Sequence, residues 1–82
     1  MQTLVIYDIP DDKTRNKISE ACKDYGLARI QYSAFLGVIN YNRREELCQR
    51  LQRTLGKKAG NIQIYPLCDK DIKLKKEIVN KE

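Results

Sequence analysis

Asp8 is the residue whose type and position point most directly to chemistry. It follows the apolar run Thr3-Leu4-Val5-Ile6-Tyr7, where the chain leaves a strand, and Pro10 comes two residues later. A carboxylate there either shapes the turn, caps a helix or holds a ligand. Asp11 and Asp12 are better placed to cap a helix starting near Lys13, which leaves Asp8 without a structural duty. The sequence contains no histidine, so Ser-His and Cys-His nucleophiles are excluded. Gly26, Gly37, Gly56 and Gly60 are isolated, and none belongs to a phosphate-cradling loop. What remains for hydrolysis is carboxylate chemistry with a hard divalent cation.

One carboxylate makes a poor magnesium site, since Mg²⁺ takes one or two carboxylates with waters and substrate phosphates. A two-fold axis that paired two Asp8 side chains on a shared metal would offset their repulsion. That metal would activate a water and stabilise the charge of a pentavalent phosphorus. Arg15 and Lys17 fall in the first helical turns near the Asp8 loop, and Arg29 begins the polar face of a second strand. With Ser33 and Phe35 they line a groove in which the cations meet phosphates and Phe35 stacks or packs at the dimer seam. The plainer reading of each cation taken singly is a solvated surface charge.

The elements that must hold these residues follow from periodicity. Residues 3–7 form a central strand covered on at least one face. A helix runs from about Lys13 to Tyr25, with Ile18, Ala21, Cys22 and Tyr25 on one stripe and Gly26 closing it. Residues 28–35 alternate: Ala28, Ile30, Tyr32 and Ala34 form the core face, Arg29, Gln31, Ser33 and Phe35 the polar one. Leu36-Gly37 is then a turn or bulge into a short antiparallel strand at Val38–Tyr41. Asn42 begins a second helix with Glu45 completing a capping box. Leu47, Cys48, Leu51 and Leu55 are its apolar stripe, Glu46 and Arg50 pair on its solvent side, and Gly56 ends it. Residues 62–68 form a fourth strand in which Pro66 marks an edge.

The order βαββαβ is the ferredoxin-like plan: an α+β domain with a four-stranded antiparallel sheet, two helices on one face and the other face free. The 82 residues read as a single domain with a core over 1–68 and a tail over 69–82. The tail carries Ile72, Leu74, Ile78 and Val79 among five lysines and fits neither period cleanly. It is either a strand exchanged with a second protomer or a frayed end.

So small a domain needs reinforcement. Cys22, Cys48 and Cys68 are odd in number, widely spaced and preceded by no signal-like stretch, which argues against disulfides. A zinc site lacks both histidine and a Cys-x-x-Cys pair. Oligomerisation remains, and no segment is long and apolar enough to span a membrane. These features predict a cytoplasmic homodimer. The net charge is +5, with five basic and five acidic residues over 1–41, so the excess lies wholly in the second half. A localised basic surface suits a phosphate backbone.

Taken together, Val5-Ile6-Tyr7-Asp8-Ile9, Arg15, Tyr25-Gly26, the run Arg29-Ile30-Gln31-Tyr32-Ser33-Ala34-Phe35-Leu36-Gly37 and Ile64-Tyr65-Pro66-Leu67-Cys68 resemble the CRISPR-associated Cas-two family, the small partner of the spacer integrase. The resemblance implies a homodimer with exchanged C-terminal strands and Asp8 as both magnesium ligand and catalytic residue, manganese being a possible substitute. It also implies nucleic-acid contacts through Arg15, Lys17, Arg29 and Ser33, with Tyr7 and Phe35 supporting the dimer interface. The activity implied is metal-dependent endonuclease action on single-stranded RNA or duplex DNA, or a non-catalytic scaffold that bridges the integrase and contacts spacer DNA. Ala34, where many members have valine, and the lysine-rich tail depart from the family pattern. A different ferredoxin-like module, an RNA-recognition domain, would need stacking aromatics that Leu36-Gly37-Val38-Ile39-Asn40 lacks.

Overall fold

Strand β1 (Gln2–Asp8) alternates strictly: Thr3, Val5 and Tyr7 are buried, while Leu4, Ile6 and Asp8 turn to the opposite face. In the computed structural model, which describes residues 1–68, β1 lies inside a four-stranded antiparallel sheet of order β2-β3-β1-β4. The other strands are β2 (Ala28–Gln31), β3 (Ala34–Val38) and β4 (Asn61–Leu67), and the helices are α1 (Asp12–Asp24) and α2 (Tyr41–Leu55). This is the α+β, ferredoxin-like βαββαβ order expected from the pattern. The tail assigned to strand exchange lies outside the described residues.

Both helices cover one face of the sheet. Asp11 caps α1, accepting hydrogen bonds from the Thr14 backbone N–H at 2.8 Å and from its hydroxyl at 2.6 Å. Ile18, Ala21 and Cys22 of α1 and Leu47 and Leu51 of α2 pack with Val5, Tyr7, Ile9, Leu27, Phe35 and Ile39 into one core. The opposite face is uncovered among the described residues. Leu4, Ile6, Leu36, Val38 and Tyr65 share it, as the pairing of Leu4 with Leu36 on one side and Tyr65 on the other requires. Among the described residues β4 is an edge strand, and it contains Pro66, whose missing N–H suits an edge.

Four local expectations are corrected. The hairpin turn falls at Tyr32-Ser33, not at Leu36-Gly37, which lie inside β3. A bulge between Arg29 and Gln31 breaks the apparent alternation over 28–35. Arg29 and Phe35 still share a face, being cross-strand partners, but it is the core face: Phe35 is 0% exposed, whereas Ile30 and Tyr32 are exposed. Asn40 rather than Asn42 caps α2, accepting from the Arg43 N–H at 2.8 Å. Finally, Arg50 pairs with Asp24 across the two helices at 2.9 Å, and Glu46 pairs instead with Arg43.

Candidate metal and nucleic-acid site

Asp8 ends β1 opposite Asn61 of β4, so both side chains stand on the uncovered face. The Asp8 residue is exposed, and its carboxylate makes no hydrogen bond or ion pair among the described residues. Its neighbours are occupied differently. Asp11 is taken by the α1 cap, and Thr14's hydroxyl, then Thr14's N–H, hold its carboxyl below the usual carboxylate value, with Lys58 assisting. Asp12 pairs with Arg15. Lys58 Nζ donates to Thr14 Oγ1 at 3.0 Å and lies 3.7 Å from Asp11, tying the loop before β4 to the start of α1. Gly60 allows this approach: a Cβ there would stand 3.0 Å from Ile9 Cγ1 and 3.3 Å from the Asp8 carbonyl oxygen.

Hard oxygen donors, the Asp8 carboxylate and the Asn61 amide oxygen, suit a hard divalent cation that keeps most of its waters. One protomer supplies few of them. No group of three or more His, Cys, Asp or Glu side chains among the described residues could hold a metal ion.

Arg15 and Arg29 gather on the other side of the sheet. Arg29 Nη2 donates to Ser19 Oγ at 2.7 Å, Nη1 donates to the Tyr32 carbonyl, and the guanidinium sits 4.9 Å from the centre of the Phe35 ring. Arg15 Nη1 donates to the Ile9 carbonyl at 3.0 Å, and its guanidinium lies 5.6 Å from the centre of the Tyr32 ring. Between them runs a cleft of about 40 Å³ lined by Tyr7, Arg15, Asn16, Ser19, Arg29 and Tyr32. Tyr7 is 2% exposed and Ser19 5%. Burial pushes the Tyr7 phenol above its ordinary value, against the opposing pull of Arg29, the Ser19 hydroxyl and Arg15.

A family model described as CRISPR associated protein Cas2 matches residues 1–74. The chain belongs to the Cas2 family. It is 58% identical over 78 residues to a CRISPR-associated endoribonuclease Cas2 of Desulforudis audaxviator, covering 95% of this chain and 74% of that one. The Cas2 subunit fold of Streptococcus pyogenes superposes with a TM-score of 0.82 at 24% identity, over 96% of this chain and 100% of that one. A chain of a partial Cas6-RT-Cas1–Cas2 complex superposes with a TM-score of 0.77 at 28% identity, over 94% of this chain and 83% of that one.

Within this Cas2 chain the expected site residues therefore divide. Arg15 and Arg29 meet at the cleft, and Asp8 stands on the opposite face of the sheet. Lys17 is exposed on the outer side of α1, since two residues turn the helix by roughly 200° from Arg15. Ser33 lies in the hairpin turn, where its carbonyl accepts the Tyr7 N–H at 3.0 Å. Tyr7 and Phe35 are consumed by the protomer's own core, their rings stacked 6.3 Å apart. Expected at a dimer seam, both are turned toward the helices by β1 and β3. Asn16, Ser19, Tyr32 and Asn61 were not singled out from the sequence. The spacing of Arg15 and Ser19, one helical turn apart, carried a signal for Ser19.

Proposed function

We propose that the chain is a homodimeric phosphodiesterase of CRISPR adaptation, an endonuclease for single-stranded RNA or duplex DNA that works with magnesium, or manganese in its place, at Asp8. The observation that carries this reading is the unengaged, exposed Asp8 carboxylate in a chain of a family whose relatives are named endoribonucleases. The same face carries Ile6, Val38 and Tyr65, with Val38 72% exposed. Such an apolar surface favours burial against a second copy, and a two-fold there would supply the second carboxylate that one protomer lacks. The tail over 69–82, exchanged between protomers, would add to that interface.

Asp8 would hold the cation through its carboxylate, with Asn61 beside it. Once bound, the cation acidifies a water and offsets charge at the reacting phosphorus. The chain's own cations draw the nucleic acid in. Arg15 and Arg29 meet phosphates, Lys17 extends the basic surface along α1, and the Ser33 hydroxyl contacts the backbone at the hairpin. Arg15 also clamps the Ile9 carbonyl, which fixes the turn that follows Asp8. Assembly with the integrase Cas1 is supported by the Cas1–Cas2 complex to whose chain this one is similar, and the place of that assembly is the cytoplasm on this reading.

A second reading, a scaffold that bridges the integrase without cleaving, is favoured by the sparse donor set around Asp8. Incubation of labelled single-stranded RNA and duplex DNA with Mg²⁺, Mn²⁺ or EDTA tests the enzyme, with Cas1 pull-down alongside. Cleavage that requires metal and is lost in Asp8→Asn supports the nuclease. Cas1 capture without cleavage by the wild type supports the scaffold, and cleavage undiminished in Asp8→Asn refutes the assignment of Asp8.

A further inference from the structure

The Asp8 carboxylate is unengaged, yet the backbone that carries it is tied to a second segment at two points. Asp8 pairs with Asn61, the last rung of the β1–β4 ladder. Past that rung, Ile9 meets Gly60 and Asp11 meets Lys58, so the pairing order of the two strands continues beyond the sheet through side chains. Lys58 Nζ donates to Thr14 Oγ1 at 3.0 Å and lies 3.7 Å from Asp11 Oδ2. That same Oδ2 accepts from the Thr14 N–H and hydroxyl, so a carboxylate, a hydroxyl and an ammonium close one triangle. Midway, Gly60 (φ +155°) approaches so closely that a Cβ there would stand 3.0 Å from Ile9 Cγ1 and 3.2 Å from Leu55 Cδ1. Lys58 is anchored in turn, its N–H donating to the Leu55 carbonyl at 3.1 Å where α2 ends.

We infer that Lys58 is a positioning residue for Asp8: its ammonium latches the loop before β4 onto the start of α1 and so fixes the strand end from which the carboxylate projects. The inference rests on the reading of Asp8 as the cation's ligand and names the group that holds that ligand in place. Ligating carboxylates are ordinarily aimed by hydrogen bonds from surrounding groups. Asp8 accepts none among the described residues, so its direction depends on the backbone beneath it. Arg15 holds that backbone from the α1 side through the Ile9 carbonyl, and Lys58 holds it from the α2 side. The Lys58 and Asp11 side chains are 58% and 49% exposed, and an ion pair so exposed adds little to global stability. Its effect is local geometry. A positive charge near a metal site also repels the metal, so charge alone and positioning predict opposite signs when the ammonium is removed.

Lys58→Met keeps most of the stem and removes the ammonium, and Lys58→Arg returns a cationic donor. Mn²⁺ alone, titrated into the full chain and followed by the electron paramagnetic resonance of the free ion, reads metal affinity without substrate or cleavage. Lys58→Met is expected to weaken Mn²⁺ binding by roughly tenfold, the low end for lost support around a metal ligand. Lys58→Arg should bind close to wild type. In EDTA, amide hydrogen exchange in Lys58→Met should quicken at Asp8, Ile9 and Asn61 and stay slow at Val5 in the middle of β1. Its melting temperature should fall by at most about 8 °C. Mn²⁺ bound by Lys58→Met as tightly as by wild type overturns the positioning role. Tighter binding does so too, because that is the effect of the lost charge by itself. Exchange quickened throughout the sheet would also overturn it, by making the latch a support of the whole fold. A wild type that holds no Mn²⁺, or whose Mn²⁺ is not released in Asp8→Asn, instead overturns the assignment of Asp8 as ligand, and the role of Lys58 falls with it.

Discussion

Replacing Phe35 by alanine separates a core role from an interface role. Its ring is fully buried, stacked on Tyr7, roofed by the Arg29 guanidinium and set on the central part of the sheet opposite Val5. Buried Phe→Ala changes cost about 3–5 kcal/mol, transfer and cavity together. A domain of this length has only about 4–12 kcal/mol in total. With about 4–8 °C lost per kcal/mol, the melting temperature should fall by roughly 12–40 °C. Thermal unfolding followed by far-ultraviolet circular dichroism, at two protein concentrations tenfold apart, is the assay. The core reading requires the wild-type and variant curves to differ by the same large interval at both concentrations. A folded, monomeric Phe35→Ala protein that melts within a few degrees of wild type would refute it and return Phe35 to a subunit seam.

Two further outcomes follow from titratable groups. The Cys22 thiol, fully buried, is pushed up to about 12, first by desolvation and against the pull of Arg29 and Arg50. Native protein at pH 8 should therefore modify at exposed Cys68 and leave Cys22 unreacted until urea unfolds the chain; rapid native labelling of Cys22, read by mass spectrometry, would contradict this burial. Asp11 is held below 3.8 by Thr14, so the native state binds its proton less readily than the unfolded chain. Its contribution is thus complete above that value and is lost as pH falls through the folded pKa. The gap in urea midpoint between wild type and Asp11→Ala should be constant near neutrality and narrow once the pH falls below the ordinary carboxylate value.

The elements were legible because their patterns were intact: a run of β-branched and aromatic residues over 3–7, and Ile18, Ala21 and Cys22 along one helical stripe. Misreading entered where alternation runs through a bulge. Over 28–35 every second residue looked consistent, yet the bulge at Arg29–Gln31 and the turn at Tyr32-Ser33 reversed which side met the core. Phe35 should have decided it, since the largest apolar side chain of the run belongs inside even beside Arg29. The α2 boundary failed for a similar reason: Asn40 and Asn42 are equal candidates by type, and only backbone geometry at Asn40 selects one. That Asp8 has no capping duty was legible by elimination, because Asp11 does cap α1. Its separation from Arg15 and Arg29 was not, since a sequence shows proximity along the chain and not the face of a sheet.

That separation has a physical consequence. Tyr7 and Asp8 are consecutive on β1, and strand geometry sends consecutive side chains to opposite faces. The cleft lined by Arg15 and Arg29 thus opens on the helix side and the carboxylate on the uncovered side, with only the end of β1 and the Ile9 turn between them. Arg15 spans this boundary by clamping the Ile9 carbonyl while lining the cleft. A backbone seated in the cleft reaches Asp8 only by passing round the end of the sheet. A phosphate met by Arg15 and Arg29, as proposed above, would therefore set where along the strand a neighbouring phosphodiester meets the carboxylate. On this geometry Arg29→Gln should loosen the position of cleavage as well as the affinity, whereas Asp8→Asn should abolish cleavage and leave affinity in EDTA unchanged.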